Sequence, residues 1–143
     1  MPDIPKTHHH LLDARYATLA TVGASGRPQL STVYFVATAD GTVKLSVNET
    51  RQKTKNMVAN SKVSLQIQDS DDSFRYLELR GDAAVEPDDD YAFADRLGAK
   101  YDGLDLRHMD RPGERRTVVT INLTRVRAVD MRQPGTVGAS LKR

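Results

Sequence analysis

Arg51, Lys53 and Lys55 arrive at alternate positions just after an apolar run, Thr42 to Val47, gives way to the polar turn Asn48-Glu49-Thr50. Thr50 is placed to cap a helix, its hydroxyl accepting from backbone N–H groups that have no partner at a helix start. The first turn of a helix ordinarily favours acids, because the macrodipole leaves partial positive charge there. Here Arg51 and Lys53 occupy that turn, against the dipole. An anion at the helix start would reconcile them, since amides and cations would converge on it. A guanidinium fork beside an ammonium suits a phosphate. Alone, the run is equally a solvated basic helix face. The strand that follows, Asn60 to Gln68, makes a strand–turn–helix–strand unit with its cations at the turn, the layout of a cofactor pocket.

Other chemistry-bearing groups are sparser. His8-His9-His10 has metal-ligand character, but adjacent helical histidines cannot all face one ion. Asp88-Asp89-Asp90 reads as a cluster of acids at a helix start in preference to a cation site. His108, in a polar loop, is a candidate proton donor, weighed against the solvated histidine usual in such loops. Neither a Ser-His-Asp context nor a zinc-ligand helix is present, and no catalytic side chain is assigned. The chain has no cysteine, which removes disulfides, thiolate metal sites and cysteine nucleophiles.

The elements that must position the basic turn read as follows. A short helix runs through Leu11, Leu12 and Ala14. Tyr16 to Val22 alternates as a strand, Gly23-Ala-Ser-Gly26 forms a hairpin turn, and Pro28 to Val36 returns as its partner. In that partner Leu30, Thr32, Tyr34 and Val36 point one way and Gln29, Ser31, Val33 and Phe35 the other. Asp40-Gly41 turns into the third strand, Thr42 to Val47. A cationic helix spans about Arg51 to Ala59, then a strand from Val63 to Asp69 leads through an acidic turn into a long strand, Phe74 to Val85. Gly81 is a candidate bulge that curls the sheet. A second helix starts near Pro87 and runs to about Lys100. A loop holding Gly103 and Pro112 leads to a last strand, Arg116 to Val129.

Six short strands joined by hairpins, with helices inserted, predict a mostly β, antiparallel barrel. A barrel of this size fills its own interior, so a large cofactor must lie outside it or in a groove shared with another subunit. The 143 residues are expected to form one domain, with 1–7 and 132–143 as flexible tails. A net charge of +2 makes the positive charge local, which fits a small anionic ligand better than a nucleic-acid polymer. No apolar run reaches the roughly 18–20 residues of a membrane span, and no secretory segment is seen, so a cytoplasmic location is expected.

Gly26-Arg-Pro-Gln-Leu-Ser-Thr-Val33, Ser46 through Asn56, and Val63-Ser-Leu65 together resemble the pyridoxamine-phosphate-oxidase-like split β-barrel superfamily. The pattern is most similar to the actinobacterial branch that uses coenzyme F420, an 8-hydroxy-5-deazaflavin, in place of FMN. The resemblance covers about residues 8–131 and is most specific through residue 69. It implies a homodimer with two cofactor sites at the subunit interface. Arg51 and Lys53 would hold the cofactor phosphate, with hydrogen bonds from Thr54 and Asn56. Gln29, Ser31, Thr32 and Val33 would line the tricyclic ring, Ser46 and Val47 would close its other edge, and Phe74 and Tyr76 would place aromatics near it. No substrate-binding signature is visible.

The resulting expectation is an F420-dependent oxidoreductase that transfers hydride from the reduced deazaflavin to an electron-poor double bond of an unidentified small molecule. The cofactor supplies the hard chemistry and the protein supplies orientation. An FMN-dependent pyridoxamine-phosphate-oxidase-like enzyme is the alternative. It requires a second anion pocket, for which Arg107, Arg111, Arg115 and Arg116 are candidates. A non-catalytic F420- or flavin-binding carrier protein is the third reading. The last strand carries apolar residues at Val118, Val119, Ile121, Leu123, Val126 and Val129, on both of its faces, and part of it is expected to pack against the partner.

Overall fold

A computed structural model describes residues 3–133 of the chain. The strands are β1 (Ala17–Val22), β2 (Pro28–Val33), β3 (Val36–Ala37), β4 (Thr42–Asn48), β5 (Lys62–Gln68), β6 (Arg75–Pro87) and β7 (Arg116–Asp130). They form one seven-stranded sheet in the order β2-β1-β5-β6-β7-β4-β3, and every neighbouring pair is antiparallel. A 3₁₀ helix, Lys6–Asp13, precedes the strands, and two α-helices, α1 (Gln52–Ala59) and α2 (Ala92–Lys100), and a second 3₁₀ helix, Leu106–Met109, are inserted between them. No helix among the described residues is long and apolar enough to cross a membrane.

The sheet's two edge strands are consecutive in the chain, separated only by Tyr34 and Phe35. So short a link reaches no more than about 11 Å between its flanking residues. The sheet therefore curls until its edges meet, giving the antiparallel barrel that the hairpin pattern predicts and the split β-barrel that the resemblance implies. The single strand expected from Pro28 to Val36 is instead broken at this seam. The Phe35 amide donates to the Tyr101 hydroxyl at 3.0 Å, and the Phe35 carbonyl accepts from Lys100 Nζ at 2.8 Å and from Tyr101 at 3.2 Å. Side chains at the end of α2 thus satisfy the groups that a neighbouring strand would otherwise take.

Alternation fills the barrel. Leu19, Phe35, Val43, Leu45, Leu65, Ile67, Leu77, Leu79, Val119 and Ile121 are all buried in one cluster, to which α1 adds Met57. The predicted bulge lies between Arg80 and Gly81, where Arg80 faces Arg125 but Gly81 faces Leu123. A Cβ on Gly81 would sit 2.3 Å from the Asn122 carbonyl oxygen, so only glycine fits this approach. Thr124 is the extra residue, and it switches the parity of β7. Val119 and Ile121 face the core before it, Val126 and Ala128 after it. Val118 packs on a second, smaller core built from Phe93, Ala94, Leu97, Tyr101 and Leu106. Within the chain, the parity switch at the bulge turns both halves of β7 to the main core, and α2 covers Val118 on the other face.

The N-terminal stretch also differs from the expectation of a loose segment, in its described part. Ile4 is buried in the main core, and the 3₁₀ helix that follows docks through Leu11 and His8. The His8 ring nitrogen Nε2 bonds the Val129 carbonyl at 3.0 Å, and His10 pairs with Asp69 at 2.8 Å. Two of the three histidines thus have structural partners. Residues 1–2 and 134–143, which include most of the expected C-terminal tail, lie outside the described residues.

Candidate functional site

The turn between β4 and α1 is shaped by Asn48, not by Thr50. Asn48 Oδ1 accepts from the Thr50 amide at 2.8 Å and from the Thr50 hydroxyl at 2.7 Å, an Asx-type turn. The predicted Thr50 cap is thereby corrected: its hydroxyl is engaged backwards, and Arg51 is the N-cap with no side-chain cap bond. The Asn48 carbonyl accepts from the Arg51 amide and from the Thr54 hydroxyl. The amides of Gln52 and Lys53 have no acceptor among the described residues. They open α1 beside the Arg51 and Lys53 side chains, neither of which has a hydrogen bond or ion pair to another described side chain. Burial, with the Arg51 charge adding to it, lowers the pKa of the Lys53 ammonium below the usual lysine range. Two cations without a carboxylate partner at an uncapped helix start suit an anion between them.

These cations line a cleft of about 260 Å³. Thr32, Val33 and Tyr34 line it from β2 and the seam, Ser46, Val47 and Asn48 line it from β4, and an apolar wall of Leu97, Leu106 and Met109 completes it. The second core fixes that wall by packing α2 and the 3₁₀ turn Leu106–Met109 together. The helix α2 starts later than expected, at Ala92, after Tyr91 in a left-handed conformation (φ 60°). The buried Asp88 carboxylate accepts from the amides of Phe93 at 3.1 Å and Ala94 at 2.9 Å, while Asp90 accepts from Ala92. The acid cluster therefore serves the helix start, as its position predicts.

Beneath the cleft lies a buried polar network. Arg116 pairs with Asp110, and both side chains are about 4% exposed. Asp110 also accepts from Tyr91 at 2.6 Å and from Asn48 Nδ2 at 2.8 Å. Burial pushes the Asp110 carboxyl up, but the bonds from Arg116, Tyr91 and Asn48 together outweigh it and hold the carboxyl below its usual range. The bond to Asp110 raises the Tyr91 phenol in turn. Asn48 Nδ2 also reaches Glu114 at 3.0 Å, so one amide ties the cationic turn to the 110–114 segment.

Of the residues singled out from sequence, Thr32, Val33, Ser46, Val47, Arg51 and Lys53 come together at the cleft. Thr54 and Asn56 are buried below it with scaffold partners. Asn56 Nδ2 donates to Thr21 and to Gln29, both at 3.0 Å, and Gln52 donates to Asn56 Oδ1 at 2.8 Å. Gln29 is thus bound to α1, and Ser31, opposite Leu19, lies outside the cleft lining. Phe74 and Tyr76 are not brought to it: Tyr76 pairs with Val129, at the far end of β7 from Arg116. His108 is exposed, near Asp105. Tyr34, Asn48, Leu97, Leu106, Met109 and Arg116 complete the lining. Neither periodicity nor charge marks Leu97, Leu106 and Met109, because α2 and the 3₁₀ turn meet β4 only in the folded chain.

The residues present fit a phosphate-bearing polar ring. Ser46 lines the cleft, and its buried hydroxyl oxygen has no hydrogen-bond partner among the described residues. The Arg51 and Lys53 side chains and the Gln52 and Lys53 amides, all without described partners, suit an anion.

Comparison with known proteins shows the family. The pyridoxamine 5'-phosphate oxidase family matches residues 4–130. A solved F420 reductase is 30% identical, with a TM-score of 0.75, over 86% of this chain and 98% of that one. HupZ of Group A Streptococcus is 20% identical with a TM-score of 0.70, over 98% and 100% of the two chains. A conserved hypothetical protein of Mycobacterium tuberculosis is 24% identical with a TM-score of 0.70, over 99% and 94%. The last two show the shared fold. The chain belongs to the pyridoxamine 5'-phosphate oxidase family, in a split-barrel superfamily of flavin- and deazaflavin-binding oxidoreductases.

Proposed function

We propose that this protein is an F420-dependent oxidoreductase that reduces an electron-poor double bond of a small molecule, acting in the cytoplasm as a homodimer. The observation that carries the reading is the pair of unneutralised cations, Arg51 and Lys53, at the uncapped start of α1, lining the same cleft as Ser46, whose hydroxyl has no described partner. The similarity to an F420 reductase supports deazaflavin over FMN.

When bound, the reduced deazaflavin would supply hydride. Arg51, Lys53 and the Gln52 and Lys53 amides would bind the cofactor phosphate and fix its position. Ser46 would donate to the polar edge of the ring, with Val33 and Val47 covering its face and Thr32 at its margin. Orientation and exclusion of water are the protein's contribution to such a transfer, so no acid or base is needed at the reacting carbon. At about 260 Å³ the cleft falls short of the roughly 300–1,000 Å³ of enclosing ligand pockets. A second subunit would complete it. Exposed Leu30 and Val58, 68% and 70% accessible, offer apolar surface for that contact. Phe74 and Tyr76 would reach a cofactor only across such an interface.

The FMN alternative requires a second anion site for a phosphorylated substrate. Among its candidate cations, Arg107 is bound to Asp95 and Asp105, Arg115 to Asp89 and Arg116 to Asp110. Only Arg111 lacks a described carboxylate partner, which argues against that pocket. Purification from a deazaflavin-producing host, with the retained cofactor identified by absorbance and mass, tests the proposal. Recovery of F420 is expected, and recovery of FMN alone would overturn it.

A further inference from the structure

Sulfur chemistry in this chain is confined to methionine, because it has four methionines and no cysteine. Methionine oxidises reversibly to its sulfoxide, which turns an apolar side chain into a polar one. The three described methionines stand in three different settings. Met57 is 2% exposed, in the main core. Met131, 56% exposed, lies just beyond β7 and outside the cleft lining. Met109 is 55% exposed and lines the cleft with Leu97 and Leu106. Among the described residues, only Met109 offers a sulfur both to a small oxidant and to a ligand in the cleft.

The backbone around Met109 is fixed on both sides. Leu106, which opens its 3₁₀ turn, is buried in the second core. The next residue, Asp110, is held by Arg116, Tyr91 and Asn48. The turn is therefore not free to swing an altered side chain out of the cleft. A sulfoxide oxygen at Met109 would need hydrogen-bond donors. Leu97 and Leu106 have none to give, and the Arg116 guanidinium is paired with Asp110. Water serves such an oxygen while the cleft is open, but not once a ligand covers it.

We propose that Met109 is the redox-sensitive residue of the cleft, a modification site at which a peroxide converts the thioether to a sulfoxide and reversibly weakens cofactor binding. The Sδ lone pair forms the S–O bond as the peroxide O–O bond breaks. Sulfur gives up two electrons, and hydrogen peroxide is reduced to water. The effect on affinity rests on the reading of the cleft as a cofactor site, whereas the oxidation itself does not.

Hydrogen peroxide treatment of the full chain, followed by peptide mass mapping and equilibrium dialysis of F420 and FMN, tests it. Met109 and Met131 should each gain one oxygen, and Met57 should gain none. Bound cofactor should slow the oxidation of Met109 relative to Met131. Treatment should weaken cofactor binding about fivefold to a hundredfold, the effect of one polar group left without a partner, at an unchanged melting temperature of the free protein. Methionine sulfoxide reductases, with dithiothreitol as reductant, should restore the affinity. Met109→Leu, compared with its own untreated sample, should lose no affinity on treatment, while Met131→Leu should respond as the wild type does. The proposal is overturned if Met109 resists peroxide in the free protein, if its sulfoxide leaves affinity unchanged, or if the loss persists in Met109→Leu. Binding of FMN alone would overturn the F420 reading and not this one, since the same comparison is then read with FMN. A chain that binds neither cofactor would overturn both.

Discussion

Asn48 donates to Asp110 at 2.8 Å while its own oxygen accepts from Thr50, so one side-chain amide joins the cationic turn to the loop behind the cleft. All of its hydrogen-bonding capacity is used, at 4% exposure. Asn48→Ala would leave the Thr50 amide, and one acceptor site each on Asp110 and Glu114, without this partner. The expected cost is about 1–3 kcal/mol in chemical denaturation, the range for buried groups left unsatisfied, with weaker cofactor binding because the turn loosens. Unchanged stability and affinity in this variant would show that the link is incidental.

Gly81 faces a backbone oxygen, not a movable side chain. Gly81→Ala should lower stability by about 1–3 kcal/mol, since the strand pair must shift to admit a methyl group. Denaturant midpoints compared at equal m-values measure it. A change within about 0.5 kcal/mol, the ordinary surface range, would contradict the bulge geometry.

Lys100 gives a pH signature. Burial lowers its pKa to about 8 from the 10.5 of a free lysine, with Asp13 opposing and Arg15 assisting. Between those values the unfolded chain binds a proton that the native chain does not, so stability should rise with pH across that window. Lys53 shifts in the same direction and adds to the trend. The urea midpoint should climb from about pH 8 to about pH 10 in the wild type and climb less in Lys100→Met. Parallel profiles would place Lys100 in a solvated setting.

Subunit association is expected on the grounds of cleft volume and exposed Leu30 and Val58. Sedimentation equilibrium at low micromolar concentration should give twice the 15.9 kDa chain mass. A monomer that still binds deazaflavin tightly would locate the whole site in one chain.

Much of this fold can be read from local pattern. The alternation in β5 and β6 and the glycine at position 81 are backbone statements, made by neighbouring residues. The cationic turn is legible because charge opposed to a helix dipole is unusual in a sequence. What local pattern misses has a physical cause in each case. The strand break at Tyr34 depends on Lys100 and Tyr101, some 66 residues away, which compete for the Phe35 backbone. The two apolar faces of β7 reflect the register shift at the bulge, which reverses parity without changing composition. Thr50 looks like a cap because its type and place are right; Asn48, two residues earlier, captures its hydroxyl first. Gln29 and Asn56 look like free polar groups because their mutual bond crosses from strand to helix.

The cationic helix start as the cofactor-phosphate site is the central claim, and equilibrium dialysis of F420 and FMN against the wild type, Arg51→Ala and Lys53→Ala tests it most directly. The wild type should bind F420 more tightly than FMN. Each substitution should weaken F420 by about 1.5–3 kcal/mol, the worth of a charged hydrogen bond, with the melting temperature of the free protein unchanged or raised as the dipole conflict is relieved. Tight binding of FMN alone, or full F420 affinity in either variant together with a lowered melting temperature, would contradict it.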